Sequence, residues 1–252
     1  VQTCALPISS YPFLCLLHDK MHSGDSWFYF WNGGLGGNFL SSYFFYLSSP
    51  LNLLVYFVDK DSILSFLTFT IIIRLAFSSG AFSFYLYKRE GERKNSTVII
   101  AVSLAYGLSS FMLAYFHETM WLDCFAVFPI IMYGYDRLIR MHKPAVYIIS
   151  LTFAAYCNFY IVYIIGLFLV IWFLLDRHCS FKGFLKDMLW FGASSLLAVG
   201  MSAITLIVSY IGVSATHVGE EDFVSHEWYG SIFEVLRYQF AASSLQPIGS
   251  SL

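Results

Sequence analysis

The chain has 252 residues, of which 58% are hydrophobic and only 12% charged, with a mean hydropathy of +0.66; ordinary soluble domains run at about 45–50% apolar and 25% charged. That balance excludes an ordinary soluble domain and indicates an integral membrane protein of all-α class. A net charge of −2 without an aromatic-interleaved basic patch gives no basis for a nucleic-acid partner, and five scattered cysteines lacking C-x-x-C spacing give neither a disulfide framework nor a zinc knuckle.

Residues 1–9 (VQTCALPIS) read as translated sequencing adapter, neither a signal peptide nor a membrane span. With no starting Met and a Ser-rich end, the chain is expected to be a fragment at both ends. The rest divides into an extramembrane region at 10–61, a bundle of about six spans at 62–212 and a polar, truncated loop at 213–252.

Within 10–61 the densest pattern is WFYFWNGGLGGNFLSSYFFYLSSPLNLL, residues 27–54. Glycines so closely packed suit backbone that must take φ > 0 or approach another group. Their spacing is neither G-x-G-x-x-G nor G-x-x-x-x-G-K-[ST], so a soluble nucleotide site is not supported. Asn32 and Asn38 either serve this turn or contact a sugar.

Hydrophobic runs of about 20 residues are needed to cross a bilayer. The candidates are 62–87, 96–116, 121–135, 145–160, 161–175 and 184–211, with a tight turn at Asn158-Phe159-Tyr160. Lys88, Arg89, Arg93 and Lys94 fall in one loop, Arg137, Arg140 and Lys143 in a second, Arg177, Lys182 and Lys186 in a third. By the positive-inside rule all three loops are cytoplasmic and six spans alternate without conflict. Region 10–61, the turn at residues 117–120, Asn158 and the tail then face outward. The apolar run 39–57 is expected to be interfacial or re-entrant, hinged at Pro50.

Arg74 lies halfway along its run, about 18 Å from either end at 1.5 Å rise per residue, too deep to snorkel. It faces either an acidic partner, placed by this reading on a span outside the chain, or the phosphate of a lipid-linked sugar, which a guanidinium fork suits. His117, Glu118, Trp121 and Asp123 form the densest polar cluster at a span end. His117-Glu118-Thr119-Met120-Trp121 lacks the second histidine of H-E-x-x-H, which rejects a zinc protease. Asp123 is either a first-turn acid favoured by the helix dipole or a carboxylate that serves an acceptor hydroxyl as general base. Asn158 and Tyr160 either cap helices and fill an interfacial belt or contact sugar, since carbohydrate sites favour amides, carboxylates and aromatic platforms. The run containing His217, Glu220, Glu221, Asp222, His226 and Glu227 reads as a solvated loop, so no metal site is assigned.

The order aromatic, N-G-G-L-G-G-N-F, aromatic, S-P-L-N-L-L, preceded by Tyr11-Pro12-Phe13-Leu14 and Leu17-His18-Asp19-Lys20, resembles the YfhO family of bacterial multi-pass membrane proteins. Met120-Trp121-Leu122-Asp123 and Asn158-Phe159-Tyr160-Ile161-Val162-Tyr163 fit the same family in the same order. The resemblance implies a GT-C-type glycosyltransferase with juxtamembrane or re-entrant helices in its first outer loop. Such an enzyme takes a sugar from a polyprenyl-phosphate donor and places it on an envelope polymer such as teichoic acid, and a divalent cation is compatible with that chemistry. Its partners would be membrane lipid, the lipid-linked donor and the polymer acceptor, with the active face outside the bacterial cell membrane. Family members are several times longer and keep their principal acidic residue early in the first outer loop. That residue is therefore expected upstream of this amino-terminal fragment, and the fragment alone is expected to be inactive. Within it the implied site is Asp123 as the catalytic residue, with Arg74, Glu118, His117, Trp121, Asn38, Asn32, Asn158 and Tyr160 binding substrate. A transporter or flippase of lipid-linked sugars would share the broken helices and buried charge, and a non-catalytic assembly factor would need none of these polar groups.

The orientation is testable by cysteine scanning in intact cells, on a background freed of native cysteines. Cysteine at Gly34 or Thr119 should react with an impermeant thiol reagent and cysteine at Gly91 should not; labelling at Gly91 reverses the topology.

Overall fold

The structure is a computed structural model that describes residues 10–24, 26–29, 38–90, 95–176 and 181–214. Residues 1–9, the glycine-rich turn with Asn32, the pair Arg93 and Lys94, Arg177, and the polar run His217 to Glu227 lie outside the described residues. All regular structure among the described residues is helical, in keeping with an all-α membrane protein.

Helix α1 spans Tyr11–Ser23 and the one-turn α2 spans Phe39–Ser42. A π-helical turn, Tyr43–Leu47, and two 3₁₀ segments, Pro50–Phe57 and Lys60–Ser62, lead into α3, Ile63–Glu90. Then come α4 (Ser96–Gly107), α5 (Ser110–Ala114) and α6 (Thr119–Met141). The chain continues through α7 (Ala145–Cys157), α8 (Phe159–Leu175), α9 (Phe181–Met201) and α10 (Ala203–Ser214). Among the described residues three stretches are long and apolar enough to cross a membrane, Lys60–Glu90, Ser96–Ala114 and Lys182–Met201, while α7 and α8 are apolar but shorter.

Several sequence boundaries shift for local reasons. The run 121–135 lies within the longer α6, which ends where His142 turns left-handed (φ 53°). Its N–H reaches Leu138 O, and Lys143 N–H reaches Arg137 O, so the last carbonyls are satisfied before Pro144. The run 184–211 breaks at Ser202, whose backbone N–H and hydroxyl both bond back to Ala198 O and Val199 O. A hydroxyl competing for the helix's own carbonyls favours such a break, and a continuous apolar pattern does not announce it. The run 96–116 is interrupted at Leu108 and Ser109, the latter extended at ψ 156°.

At Asn158 the expected turn is present. Tyr147, near the start of α7, and Phe173, near the end of α8, both pack on Phe191 of α9, so the chain doubles back. Asn158 holds extended backbone (φ −160°), donates its N–H to Ala154 O and accepts the Ile161 N–H on its side chain at 2.9 Å. One residue thus ends one helix and caps the next.

The ends of the helices sort by charge. Arg89 on α3 bonds Tyr85 and interacts with Asp136 on α6, and Tyr135 donates to Asp176, just past α8, at 3.2 Å. This basic end therefore gathers the ends of α3, α6 and α8, as the loop charges predict. At the opposite end Ser10 bonds His117 O at 2.7 Å and Lys60 Nζ bonds both Asp19 oxygens at 2.8 Å. The Lys60 ammonium holds the Asp19 carboxyl below the usual carboxylate range. Two apolar cores result: one around Tyr135, Tyr147, Phe173 and Phe191, and one beneath α1 around Leu14, Leu17, Phe39, Leu47 and Leu122. Helices α6 and α7 approach so closely that a Cβ on Gly134 would lie 2.6 Å from the Tyr147 backbone nitrogen.

Pro129 sits inside α6 and has no N–H, so the helix cannot satisfy the carbonyl of Phe125. Tyr106 of α4 supplies the missing donor, its hydroxyl lying 2.7 Å from Phe125 O. In lipid an unpaired carbonyl has no water to turn to. Tyr106→Phe should therefore cost about 1–3 kcal/mol. In a Pro129→Ala background, where the helix regains its own donor, the same change should cost clearly less. Equal losses in both backgrounds, measured by thermal unfolding in detergent, would refute this account of the α4–α6 contact.

Candidate functional site

Arg74 lies on the buried face of α3 with Leu67, Thr70, Ile71, Ser78 and Ala81, spaced as one helical stripe. On α6 the buried stripe carries Asp123, in the second turn rather than the first. Where these faces meet, Arg74 Nε donates to Asp123 Oδ1 at 2.8 Å, with both side chains buried (1% and 6% exposed). The acidic partner expected on another span is thus within the chain, and the residue singled out as a base supplies it.

A third element completes the cluster. Asn38 caps α2 by accepting the Ser41 N–H at 3.3 Å. The π-helical turn then carries the chain to Ser48 and Ser49, and Pro50 opens the 3₁₀ helix with its φ already set. This change of winding turns three polar groups inward. Ser48 Oγ bonds Cys157 O at 3.0 Å, fixing the segment to the α7–α8 hairpin. Ser49 Oγ and Asn52 Oδ1 each accept from Arg74 Nη2 at 3.1 Å, and Asn52 Nδ2 bonds Leu47 O. On either side of Pro50, Ser48, Ser49 and Asn52 therefore face the bundle, while Leu53, Leu54, Tyr56 and Phe57 stay exposed.

Two polar atoms in the cluster have no partner among the described residues: Arg74 Nη1 and Asp123 Oδ2. The guanidinium has spent Nε and Nη2 on protein and keeps one nitrogen, and the carboxylate keeps one oxygen. Chemically, these are a cationic donor for an anionic oxygen and an acceptor for a hydroxyl proton.

The other expected site residues lie elsewhere. His117 and Glu118 stand side by side (Nε2 to Oε1, 3.8 Å) at the entry to α6, one turn above Asp123, and the Trp121 ring tilts against Tyr115 at 5.4 Å. Asn158 is buried and occupied with capping, its carbonyl accepting from Cys124 Sγ. Tyr160 is 53% exposed and Asn38 lies at the exposed start of α2. Asn32 lies outside the described residues. Sequence reasoning missed Ser48, Ser49 and Asn52 as site residues, although a lone amide in the apolar stretch Leu51–Leu54 was a usable signal. Among the described residues no three His, Cys, Asp or Glu side chains converge as metal ligands would.

A bundle that is all-helical among the described residues, with membrane-length spans, a buried Arg–Asp pair and an inserted segment pinned to it, defines a multi-pass membrane protein. A family model described as "Bacterial membrane protein YfhO" matches residues 10–240, and the chain belongs to that family. No curated protein and no solved structure matches it.

Breaking a buried pair leaves a charge uncompensated and costs about 3–5 kcal/mol, whereas replacing both partners by apolar groups is often neutral. Arg74→Met and Asp123→Leu should each lose about that much. The double variant should recover most of it, retaining a deficit of about 1–3 kcal/mol from the stranded Asn52 oxygen and Ser49 hydroxyl. Additive losses in detergent melts would show that the two charges do not depend on one another.

Proposed function

We propose that this protein is a membrane glycosyltransferase that moves a sugar from a polyprenyl-phosphate carrier to a cell-envelope acceptor such as a teichoic-acid-like polymer, on the outer face of the membrane. The observation that carries this reading is the buried pair with its two unspent atoms. In the reaction the acceptor hydroxyl oxygen forms a bond to the anomeric carbon, the bond from that carbon to the phosphate oxygen breaks, and the hydroxyl proton passes to a carboxylate. Asp123 Oδ2, buried and without a partner among the described residues, is the carboxylate oxygen assigned to that proton, and Arg74 Nη1, likewise buried and unpartnered, is the donor assigned to the charge growing on the leaving polyprenyl phosphate. Ser49 and Asn52 fix the guanidinium plane, so the donor itself is already oriented. Membership of the YfhO family, the membrane-length helices and the inserted segment are all consistent with a lipid-borne donor.

The test is transfer by the purified natural full-length protein in detergent, where nothing has to cross a bilayer. Asp123→Asn should lower transfer per folded molecule by roughly 10²–10⁴. Arg74→Met combined with Asp123→Leu serves as the folded control that lacks both charges and should be inactive as well. Wild-type transfer by that double variant would make the pair structural and sink the proposal. So would a wild-type protein that gives no product in detergent yet moves the lipid-linked sugar across liposomes.

A further inference from the structure

Toward the basic end, α3 and α6 run side by side and parallel, in one register. Arg74 and Asp123, which pair, are 49 positions apart, and so are Phe84 and Tyr133, whose rings meet edge to face with centroids 5.1 Å apart. One turn further on, the same register brings Lys88 level with Arg137. Each cation lies over the ring one turn before it, Lys88 Nζ 5.7 Å from the Phe84 centroid and Arg137 Cζ 5.7 Å from that of Tyr133. Two like charges so placed oppose one another, yet neither makes an ion pair among the described residues. The carboxylates of this end act elsewhere: Asp136 and Asp176 interact with Arg89, and Asp136 with Arg140. Phe84, Tyr87 and Lys88 are exposed along one stripe of α3, so this side of the seam is open.

We infer that this seam binds the phosphodiester headgroup of one anionic phospholipid. A helix C-terminus attracts cations through its dipole, which accounts for cations near the ends of α3 and α6 but not for two in register without a counter-charge. A phosphodiester supplies that counter-charge: the guanidinium offers paired N–H donors to its oxygens, and the ammonium a compact point charge. Phe84 and Tyr133 lie one turn deeper, where aromatic side chains sit at the boundary between headgroups and acyl chains, so the chains of the bound lipid pass over the rings. A soluble phosphate would use the same cations without that contact. The seam lies about 21 Å of helix beyond Arg74 and Asp123 at 1.5 Å per residue, so the headgroup does not reach the buried pair. Bound there, the lipid joins the two helices whose register sets the Arg74–Asp123 contact.

The experiment is native mass spectrometry of the natural full-length protein, delipidated in detergent and titrated with dioleoyl phosphatidylglycerol. Dioleoyl phosphatidylcholine serves as the zwitterionic comparison and glycerol 3-phosphate as a phosphate headgroup without chains. Thermal melts first establish that each variant is folded. One phosphatidylglycerol should bind at concentrations where phosphatidylcholine does not. Lys88→Gln and Arg137→Gln should each weaken binding roughly 5-fold, and the two together about 25-fold. Lys88→Arg should retain it. Lys143→Gln removes an exposed cation of the same end outside the seam and should change affinity by less than about 2-fold. No bound phosphatidylglycerol, equal binding of phosphatidylcholine, or unchanged affinity in the double variant would each overturn the inference. So would an equal loss in Lys143→Gln, which would make the attraction a diffuse field of the basic end. Displacement of the lipid by glycerol 3-phosphate at equal concentration would overturn it too, because the seam would then take a soluble phosphate rather than a lipid.

Discussion

A guanidinium at mid-membrane is tolerable only when surrounded by acceptors, and much of the fold can be derived from that constraint. Arg74 is 1% exposed and lies too far along α3 to reach water from either end. One carboxylate, Asp123, neutralises the charge but occupies only Nε. The remaining hydrogen-bond demand draws in Ser49 and Asn52 from a segment that hydropathy would otherwise leave at the interface. Once inserted, that segment brings its own backbone: Asn52 closes the carbonyl of Leu47, and the single Ser48 hydroxyl proton goes to Cys157 O of the α7–α8 hairpin at 3.0 Å rather than to Phe44 O at 3.3 Å. The ion pair and the inserted segment are therefore one structure, since Arg74 Nη2 and Asn52 Oδ1 each find their partner in the other.

The same accounting of polar groups governs the broken helices. Pro129 opens a carbonyl that Tyr106 closes from another helix, and Asn158 closes both sides of its own turn. Ser202 ends α9 by doubling the bonds to the last carbonyls. Each of these breaks has its donor, from its own turn or from a neighbouring helix. Apolar packing then follows between fixed points, as where the Phe173 and Phe191 rings lie parallel at 5.0 Å.

Much of this was legible in the residues and some of it was not. The gathering of Arg89, Asp136 and Asp176 at one end follows from loop charges that sequence displays directly. The turn at Asn158 was legible because a capping amide stood alone between two apolar runs. The burial of Arg74 was legible from its depth, but its partner was not, because pairing depends on which helix faces which and periodicity does not order helices. Asp123 looked like a first-turn acid because the start of α6 was placed two residues late. Ser202 was hidden because a serine in an apolar helix more often bonds one turn back without ending it. Asn52 was visible as chemistry and invisible as geometry, since only the change from π to 3₁₀ winding aims it at Arg74.

The layer that carries Ser49 and Asn52 to Arg74 is held in two ways. Leu14, Leu17, Phe39, Leu47 and Val55 pack into one apolar core with Ile63 and Leu67 of α3 and Leu122 of α6. Hydrogen bonds from Ser10 to His117 O and from Ser48 to Cys157 O tie the same layer to the bundle, while Lys60 and Asp19 join its two ends to each other. The geometry around Arg74 therefore depends on apolar burial as much as on hydrogen bonding, because that burial fixes where the two acceptors can reach the guanidinium.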